Sequence, residues 1–120
     1  MKNYYSIMSE TIGDLSGRFT VCMNADCKVY EGHFPGSPVS PGVCNIEMLL
    51  ECAERVLQFP LRMTKLNRCR LTTLITPMAH PQLDIQIDLR PKEQGLYLLN
   101  ASIGRGEDTY LTLKAETIRE

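Results

Sequence analysis

The chain has 120 residues, of which 43% are hydrophobic and 22% charged, and its formal net charge is −1. This length predicts one domain over residues 1–120. The near-neutral charge argues against a nucleic-acid-binding protein, because such domains usually carry a basic excess. No apolar run reaches the roughly eighteen residues of a membrane-spanning helix, and the start of the chain lacks the apolar core of a secretory signal. We therefore expect a cytoplasmic protein without a membrane partner.

The five cysteines argue against a disulfide framework and against a zinc site, because their number is odd and no pair forms a CxxC motif. Free cysteine is among the residue types most often buried. We therefore expect small apolar core residues in a reducing compartment. The five residues are Cys22, Cys27, Cys44, Cys52 and Cys69.

The first predicted element is a strand at Arg18–Met23, which a turn at Asn24–Asp26 follows. The next distinctive segment, Gly32–Gly42, reads GHFPGSPVSPG. Its prolines fix φ, and its glycines reach conformations that other residues avoid. This composition indicates a loop of defined shape and excludes helix or central strand.

A long helix is predicted directly after this loop. Ser40 is a suitable N-cap and Pro41 suits the first helical position, while Pro60 requires the helix to end before it. Burying its six large aliphatic residues would contribute roughly 9–18 kcal/mol before opposing terms, so we expect this helix at the centre of the core. The apolar residues at helical spacing are Val43, Ile46, Leu49, Leu50, Ala53, Val56 and Leu57.

The rest of the chain predicts antiparallel strands, separated by turns at residues 93–95 and 104–108. Leu83, Ile85, Ile87 and Leu89 alternate strictly with polar residues, which predicts one buried face. Strands followed by one helix and more strands indicate an α+β fold, with the helix on one face of the sheet. The predicted strands are Thr64–Ile75 (one long strand or a bent pair), Leu83–Leu89, Gly95–Ile103 and Thr109–Ile118.

Two side chains are candidates for acid–base chemistry. His33 lies within the shaped loop, where its imidazole would have a defined direction and can exchange a proton near neutral pH. The second histidine, His80, lies between two prolines and is expected to be structural or solvated. Glu47 lies in the second turn of the predicted helix, outside the apolar stripe, and pattern alone favours a solvated face shared with Glu51 and Glu54.

These residues carry a resemblance to a known family. The string GHFPGSPVSPGV at Gly32–Val43, with Glu47 on the following helix, closely resembles the signature of the 3-hydroxyacyl-[acyl-carrier-protein] dehydratases. His33 and Glu47 are 47 − 33 = 14 residues apart, which is the spacing in that family. Val29-Tyr30 matches the pair of residues that precedes the histidine. A glutamate on the helix is typical of the plain dehydratase branch, since the related dehydratase/isomerases have aspartate there.

The resemblance implies a hot-dog fold, in which one long central helix is wrapped by an antiparallel sheet, and the dehydration of a 3-hydroxyacyl thioester to a trans-2-enoyl thioester. It implies that His33 takes the C2 proton and that Glu47, no longer interpreted as solvated, manages the departing hydroxyl. The N–H groups of Gly42 and Val43 would bind the thioester oxygen at the positive end of the helix dipole. Phe34, Pro35, Gly36 and Pro41 would form the substrate loop, and neither a metal nor another cofactor is implied.

The resemblance also implies partners. The family acts on acyl chains linked to the phosphopantetheine of acyl carrier protein, in fatty-acid biosynthesis and other lipid metabolism. Its active sites form between subunits, which implies a homodimer or a multiple of dimers. The acidic carrier would meet four basic residues that lack an acidic residue between them, although the pattern also fits a solvated strand face. These residues are Arg62, Lys65, Arg68 and Arg70, of which the three arginines share strand parity.

Three departures from the family leave other functions open. Glu51 replaces a glutamine, His80-Pro81-Gln82 replaces a Pro-Gly-Asp turn, and the family's N-terminal segment before its first strand has no counterpart. A hot-dog thioesterase would use the helix carboxylate to direct water and would not require His33. A non-catalytic subunit that binds acyl chains or a partner dehydratase is the second alternative, which Glu51 and the missing segment would fit.

Overall fold

The computed structural model describes residues 3–31 and 39–120. In these residues the chain forms six strands and one α-helix, and the strands make one antiparallel sheet with the order β1-β2-β4-β5-β6-β3. The helix packs on one face of this sheet, so the predicted α+β arrangement is confirmed. The elements are β1 (Tyr5–Ile12), β2 (Ser16–Met23), α1 (Gly42–Leu57), β3 (Leu61–Leu71), β4 (Gln82–Pro91), β5 (Leu96–Arg105) and β6 (Asp108–Arg119), with short 3-10 turns at Lys28–Glu31 and Glu93–Gly95.

The core lies between α1 and the inner face of the sheet. All four alternating residues of β4 are buried, which confirms the period-2 prediction. β6 pairs with β5 and buries alternate residues in the same way. The inner-face residues of these two strands are Leu83, Ile85, Ile87 and Leu89 in β4, and Leu111, Leu113, Ala115 and Thr117 in β6.

The helix begins and faces the core differently from the prediction. Pro41 is the N-cap and no side chain caps the helix, so the prediction of a Ser40 cap is wrong. The Ser40 hydroxyl instead lies 3.2 Å from the hydroxyl of Tyr30. Val43 is 76% exposed, so its predicted burial is also wrong. The exposure of Val43 follows from which side of α1 the sheet covers, and two cysteines and Met48 lie on that covered side. The buried residues of α1 are Cys44, Asn45, Met48, Leu49, Leu50, Cys52, Ala53 and Val56.

The two edge strands depart most from the sequence prediction. No strand was predicted before Arg18, yet β1 forms, and its residues are mostly exposed, so they carry little hydrophobic alternation. The second edge strand, β3, starts at Leu61 and ends at Leu71, and the predicted extension to Ile75 is wrong. Its pairing with β6 shifts register twice, between Met63 and Lys65 and again between Leu66 and Arg68. Local irregularities of this kind depend on the partner strand and escape a regular pattern.

All five cysteines are thiols that form no disulfide. Cys27, Cys44 and Cys52 are buried, as predicted, and Cys22 is half-buried. Cys69 is exposed, and its predicted burial is wrong because it lies on the edge strand β3. Within the described ranges, no helix is long and apolar enough to cross a bilayer.

Candidate active site

The structure describes one of the two predicted catalytic residues. Glu47 lies in the second turn of α1 with its side chain exposed. His33 and the predicted substrate-loop residues Phe34, Pro35 and Gly36 lie outside the described residues. The predicted acid–base pair therefore stays a prediction, and the geometry around Glu47 and the helix start is what the structure contributes.

The start of α1 is an open helix end. Gly42 and Val43 are exposed, and no atom of the described residues lies within 4 Å of where a Cβ on Gly42 would stand. In the described part of the chain, the first α1 N–H groups with acceptors belong to Cys44 and Asn45, which both donate to the Pro41 carbonyl at 3.1 Å. The first N–H groups of a helix lack intrahelical partners and point along the positive end of its dipole. These N–H groups can therefore donate hydrogen bonds to an anionic or carbonyl oxygen.

The thiols near Glu47 are poor nucleophiles. Burial raises the pKa of Cys44, and the neighbouring Cys27 and Glu47 raise it further. Burial likewise raises the pKa of Cys52 to about 12, with Glu51 adding to the shift. Because the thiolate is the reactive form, neither cysteine offers a nucleophile near neutral pH. Of the three glutamates on α1, Glu47 is the one whose side chain is exposed.

The other two glutamates on α1 are not the solvated residues that the pattern predicted. Glu51 is half-buried and accepts a hydrogen bond of 2.7 Å from the Tyr5 hydroxyl. Glu54 is also half-buried, and its Oε2 accepts the backbone N–H of Leu61 at 2.7 Å. The solvated interpretation is therefore wrong for both, because each carboxylate joins α1 to a strand.

His80 has the structural role that the sequence predicts. Its Nδ1 accepts the backbone N–H of Thr76 at 3.2 Å, and its own backbone N–H donates to the Thr76 carbonyl at 2.7 Å. Its ring lies 4.8 Å from the Tyr110 ring, measured between centroids. These contacts close the turn between β3 and β4.

The four basic residues of β3 lie on one face of the sheet. Residues directly opposite each other on paired strands project to the same face. The basic residues lie opposite the outward-facing residues of β6, so the shared side of the three arginines is confirmed, and the two register shifts bring Lys65 to that side as well. The pairs are Arg62–Ile118, Lys65–Glu116, Arg68–Lys114 and Arg70–Thr112. All four basic residues are exposed, and Arg68, Arg70 and Lys114 line an outer-face groove of about 370 Å³.

Large apolar side chains are exposed along β3 and near the start of α1. Leu66 and Leu71 lie opposite Ala115 and Leu111 on the inner face of the sheet. The loop after β3 reaches the helix start, because the Ser40 N–H donates to the Ile75 carbonyl at 2.8 Å. We call this set the apolar edge; its members are Val43 (76% exposed), Leu66 (45%), Leu71 (48%), Leu74 (60%) and Met78 (72%). Exposed apolar patches on soluble proteins commonly mark interaction surfaces.

Glu47 does not line either of the two main grooves formed by residues 3–31 and 39–120. Two grooves of about 400 and 370 Å³ lie on the outer face of the sheet and are lined by strand and turn residues rather than by Glu47. Among residues 3–31 and 39–120, no group of three His, Cys, Asp or Glu side chains could hold a metal ion.

Comparisons with known proteins show which family the sequence matches. Residues 10–105 match the model of the ApeI-like family, described as ApeI dehydratase. No curated protein matches the sequence. A chain of the dehydratase heterocomplex ApeI:P from Xenorhabdus doucetiae is 16% identical with a TM-score of 0.75, over 99% of this chain and 100% of that chain.

Two further solved structures share the fold. An uncharacterized protein from Erwinia carotovora is 17% identical with a TM-score of 0.69, over 96% of both chains. A hypothetical thioesterase with coenzyme A from Streptococcus pneumoniae is 8% identical with a TM-score of 0.69, over 97% of this chain and 85% of that chain. At these identities the likeness shows the fold alone, which is the predicted hot-dog fold.

Proposed function

Because the chain belongs to the ApeI-like family of ApeI dehydratases, we propose that it converts a 3-hydroxyacyl thioester to a trans-2-enoyl thioester and water. One observation in the structure carries the proposal. Glu47 lies exposed in the second turn of α1, one turn after the open N–H groups of Gly42 and Val43. His33 stands 14 residues before Glu47 in the sequence and supplies the base.

In the proposed reaction, His33 accepts the proton from C2 and Glu47 donates a proton to the hydroxyl on C3. The electron pair of the C2–H bond forms the C2–C3 double bond, and the C3–oxygen bond breaks to release water. The cycle closes when His33 releases its proton and Glu47 regains one, so no oxidant or reductant takes part. The N–H groups of Gly42 and Val43 would stabilise the negative charge that develops on the thioester oxygen. Phe34, Pro35, Gly36 and Pro41 are the proposed substrate-loop residues.

The active site is proposed to form between two hot-dog chains. Glu47 is exposed in the single chain, and the apolar edge lies beside the start of its helix. Among the described strands β3 pairs with β6 alone, and an unpaired edge strand is a template for another chain. Pairing of two β3 strands across a two-fold axis would cover the apolar edge, and the proposed site would combine His33 of one copy with Glu47 of the other. The proposed assembly is a homodimer or a multiple of dimers.

One feature favours a second kind of partner at the same edge. Arg62, Lys65, Arg68 and Arg70 share a face, and β3 contains no acidic residue. Pairing of two copies would bring these like charges close together, which is destabilising. A different hot-dog chain with an acidic edge strand would avoid this cost. The relative from Xenorhabdus doucetiae is a chain of a heterocomplex, which offers a precedent for such a pair.

The proposed substrate is carried by the phosphopantetheine of acyl carrier protein, in fatty-acid biosynthesis or related lipid metabolism. The four basic side chains and Lys114 are exposed on the outer face, where they outnumber the acidic residues Asp88 and Glu116 beside them. Complementary charge raises the encounter rate with an acidic carrier and orients the docked complex. Five cysteines in the thiol form fit the reducing conditions of the cytoplasm, which is the proposed location.

The products of one incubation distinguish this proposal from its rivals. The protein is incubated with a 3-hydroxyacyl thioester, on acyl carrier protein and on a short pantetheine analogue, and the products are followed by mass spectrometry. Loss of one water supports dehydration, whereas the free acid indicates a thioesterase. Unchanged substrate indicates a non-catalytic subunit, and either of these two results overturns the proposal. A Glu47→Gln variant serves as the control for contaminating activity.

A further inference from the structure

Four polar side chains form a buried cluster beside the candidate site. Tyr4 is 0% exposed, Asn45 2%, Tyr30 5% and Ser40 7%. They come from four parts of the chain: the residue before β1, the 3-10 turn at Lys28–Glu31, the residue before the N-cap and the first turn of α1. Because buried polar groups are costly unless they are hydrogen-bonded, a cluster from four segments needs a specific arrangement.

Direct contacts join the cluster. The Tyr4 hydroxyl donates to Asn45 Oδ1 at 2.6 Å, and the Tyr30 and Ser40 hydroxyls lie 3.2 Å apart. The Tyr4 and Tyr30 rings are stacked, with centroids 6.2 Å apart and an angle of 30°. A backbone hydrogen bond also fixes the Tyr4 end of the cluster, since the Asn24 N–H donates to the Tyr4 carbonyl at 3.1 Å.

Both phenols remain hydrogen-bond donors. Burial raises the pKa of Tyr4 and of Tyr30 above the ordinary value, and the nearby Cys44 raises both further. Each hydroxyl therefore keeps its proton at working pH. Networks of this kind specify one arrangement of the groups they join, because a partly satisfied network is unfavourable.

The cluster joins the two parts of the chain that carry the catalytic candidates. Tyr30 and Ser40 stand on either side of residues 32–38, which include His33 in the sequence. Asn45 is two residues before Glu47 and faces the core while Glu47 faces outward. We propose that Tyr4, Tyr30, Ser40 and Asn45 are positioning residues that hold the first turn of α1, and with it Glu47, against the chain that leads to His33. The kinetic consequence rests on the proposed dehydratase function.

The kinetic test removes single hydroxyls. Tyr30→Phe and Ser40→Ala should each lower kcat about ten- to a hundredfold, because misplacement of a reacting group by about 1 Å has effects of this size. KM should stay within about twofold, since neither residue is proposed to touch substrate. The kcat of the double variant should be no lower than that of the less active single variant, because both changes remove the same contact. The proposal is overturned if each substitution changes kcat and KM by the same factor and if these effects add in the double variant.

A matched control separates positioning from stability. Thr117 is 0% exposed, and its hydroxyl donates to the Tyr97 carbonyl at 3.0 Å, on β6 and away from α1's first turn. Thr117→Val removes a buried hydroxyl and should lower the unfolding free energy while leaving kcat unchanged. A loss of kcat in Thr117→Val as large as in Tyr30→Phe would mean that any buried hydroxyl has this effect, which overturns the proposal.

A second readout does not depend on activity. Amide hydrogen exchange at Cys44 and Asn45, whose N–H groups bond to Pro41, should become about tenfold faster in Tyr30→Phe and Tyr4→Phe. Exchange at Val56, near the other end of α1, should not change, and Thr117→Val should leave both ends unchanged. Uniform acceleration along α1, or none, overturns the positioning role. If the wild-type protein does not dehydrate, the proposed function fails while hydrogen exchange still decides the positioning role.

Discussion

The two edge strands of the sheet, β1 and β3, differ in what covers them. β1 is attached to α1 by polar contacts of its own chain: Tyr5 donates to Glu51, and Arg55 pairs with Glu10 at 2.6 Å. β3 is joined to α1 at its first residue, through the Leu61 N–H and Glu54. Its outer face presents basic residues, and its inner face continues into the apolar edge. From this difference we expect β1 to support the helix from within the chain and β3 to pair with a partner. The sharpest tests compare matched substitutions on the β1 side and on the β3 side of the molecule.

The largest expected effect concerns the two glutamates one turn apart on α1. Glu47→Gln should lower turnover at least about a hundredfold, which is the usual loss when an acid–base group is removed. Glu51→Gln, on the β1 side, should change turnover by less than about fivefold, because Gln Oε1 can still accept the Tyr5 hydroxyl. Steady-state kinetics on both variants measures the contrast. The comparison fails if Glu51→Gln is as inactive as Glu47→Gln.

His33→Ala should match Glu47→Gln in its loss of turnover while remaining folded by circular dichroism. If the site is shared between copies, mixing the two inactive proteins under subunit exchange should restore part of the activity, since some sites then contain both intact residues. A mixture that remains inactive despite demonstrated exchange argues against a site shared between identical copies.

The next expected effect concerns assembly. Leu71→Asp places a charge on the apolar edge and should convert the assembly to an inactive monomer, as seen by analytical ultracentrifugation. Met8→Asp introduces the same charge on β1, where Met8 is 55% exposed, and should leave assembly and turnover unchanged. Dissociation by Met8→Asp, or a wild-type protein that sediments as an active monomer, would contradict the assignment of β3 as the partner edge.

A smaller effect is expected for carrier docking. Reversing Arg68 and Arg70 to Glu should lower kcat/KM for carrier-bound substrate roughly tenfold, and the loss should shrink as salt rises, since exposed charges are screened over about 10 Å at 0.1 M. Small thioesters without a carrier should be unaffected. The control is Arg18→Glu, which reverses the charge of an exposed residue on β2, next to the edge strand β1. Equal losses for both substrates would assign the arginines to the fold or the site.

The smallest effect is expected at β1. Glu10→Gln weakens the ion pair with Arg55. The Glu10 side chain is 32% exposed and the Arg55 side chain is 50% exposed. Pairs with this exposure contribute at most about 1 kcal/mol to the free energy of unfolding, which urea denaturation can measure. Turnover should not change. A large loss of turnover in Glu10→Gln would mean that β1 takes part in the reaction and that the two edges do not divide these roles.

The sequence alone determined the features that depend on strong local periodicity. The alternation of β4 and the helical spacing of α1 predicted one helix on an antiparallel sheet, because burying an apolar face dominates the energetics of such segments. The motif around His33 and the position of Glu47 indicated a hot-dog dehydratase, and the match over residues 10–105 assigns the chain to the ApeI-like family, described as ApeI dehydratase. These features are encoded by residues close together in the sequence.

Only the tertiary structure decided the features that depend on contacts between distant segments. The roles of Glu51 and Glu54 rest on Tyr5 and on the Leu61 N–H, which no helical pattern reveals. Lys65 has the opposite parity from its neighbouring arginines, yet the register shifts of β3 bring it to their face. The exposure of Val43 follows from which side of α1 the sheet covers. Each outcome depends on the geometry of a partner segment, and local propensity carries no information about that geometry.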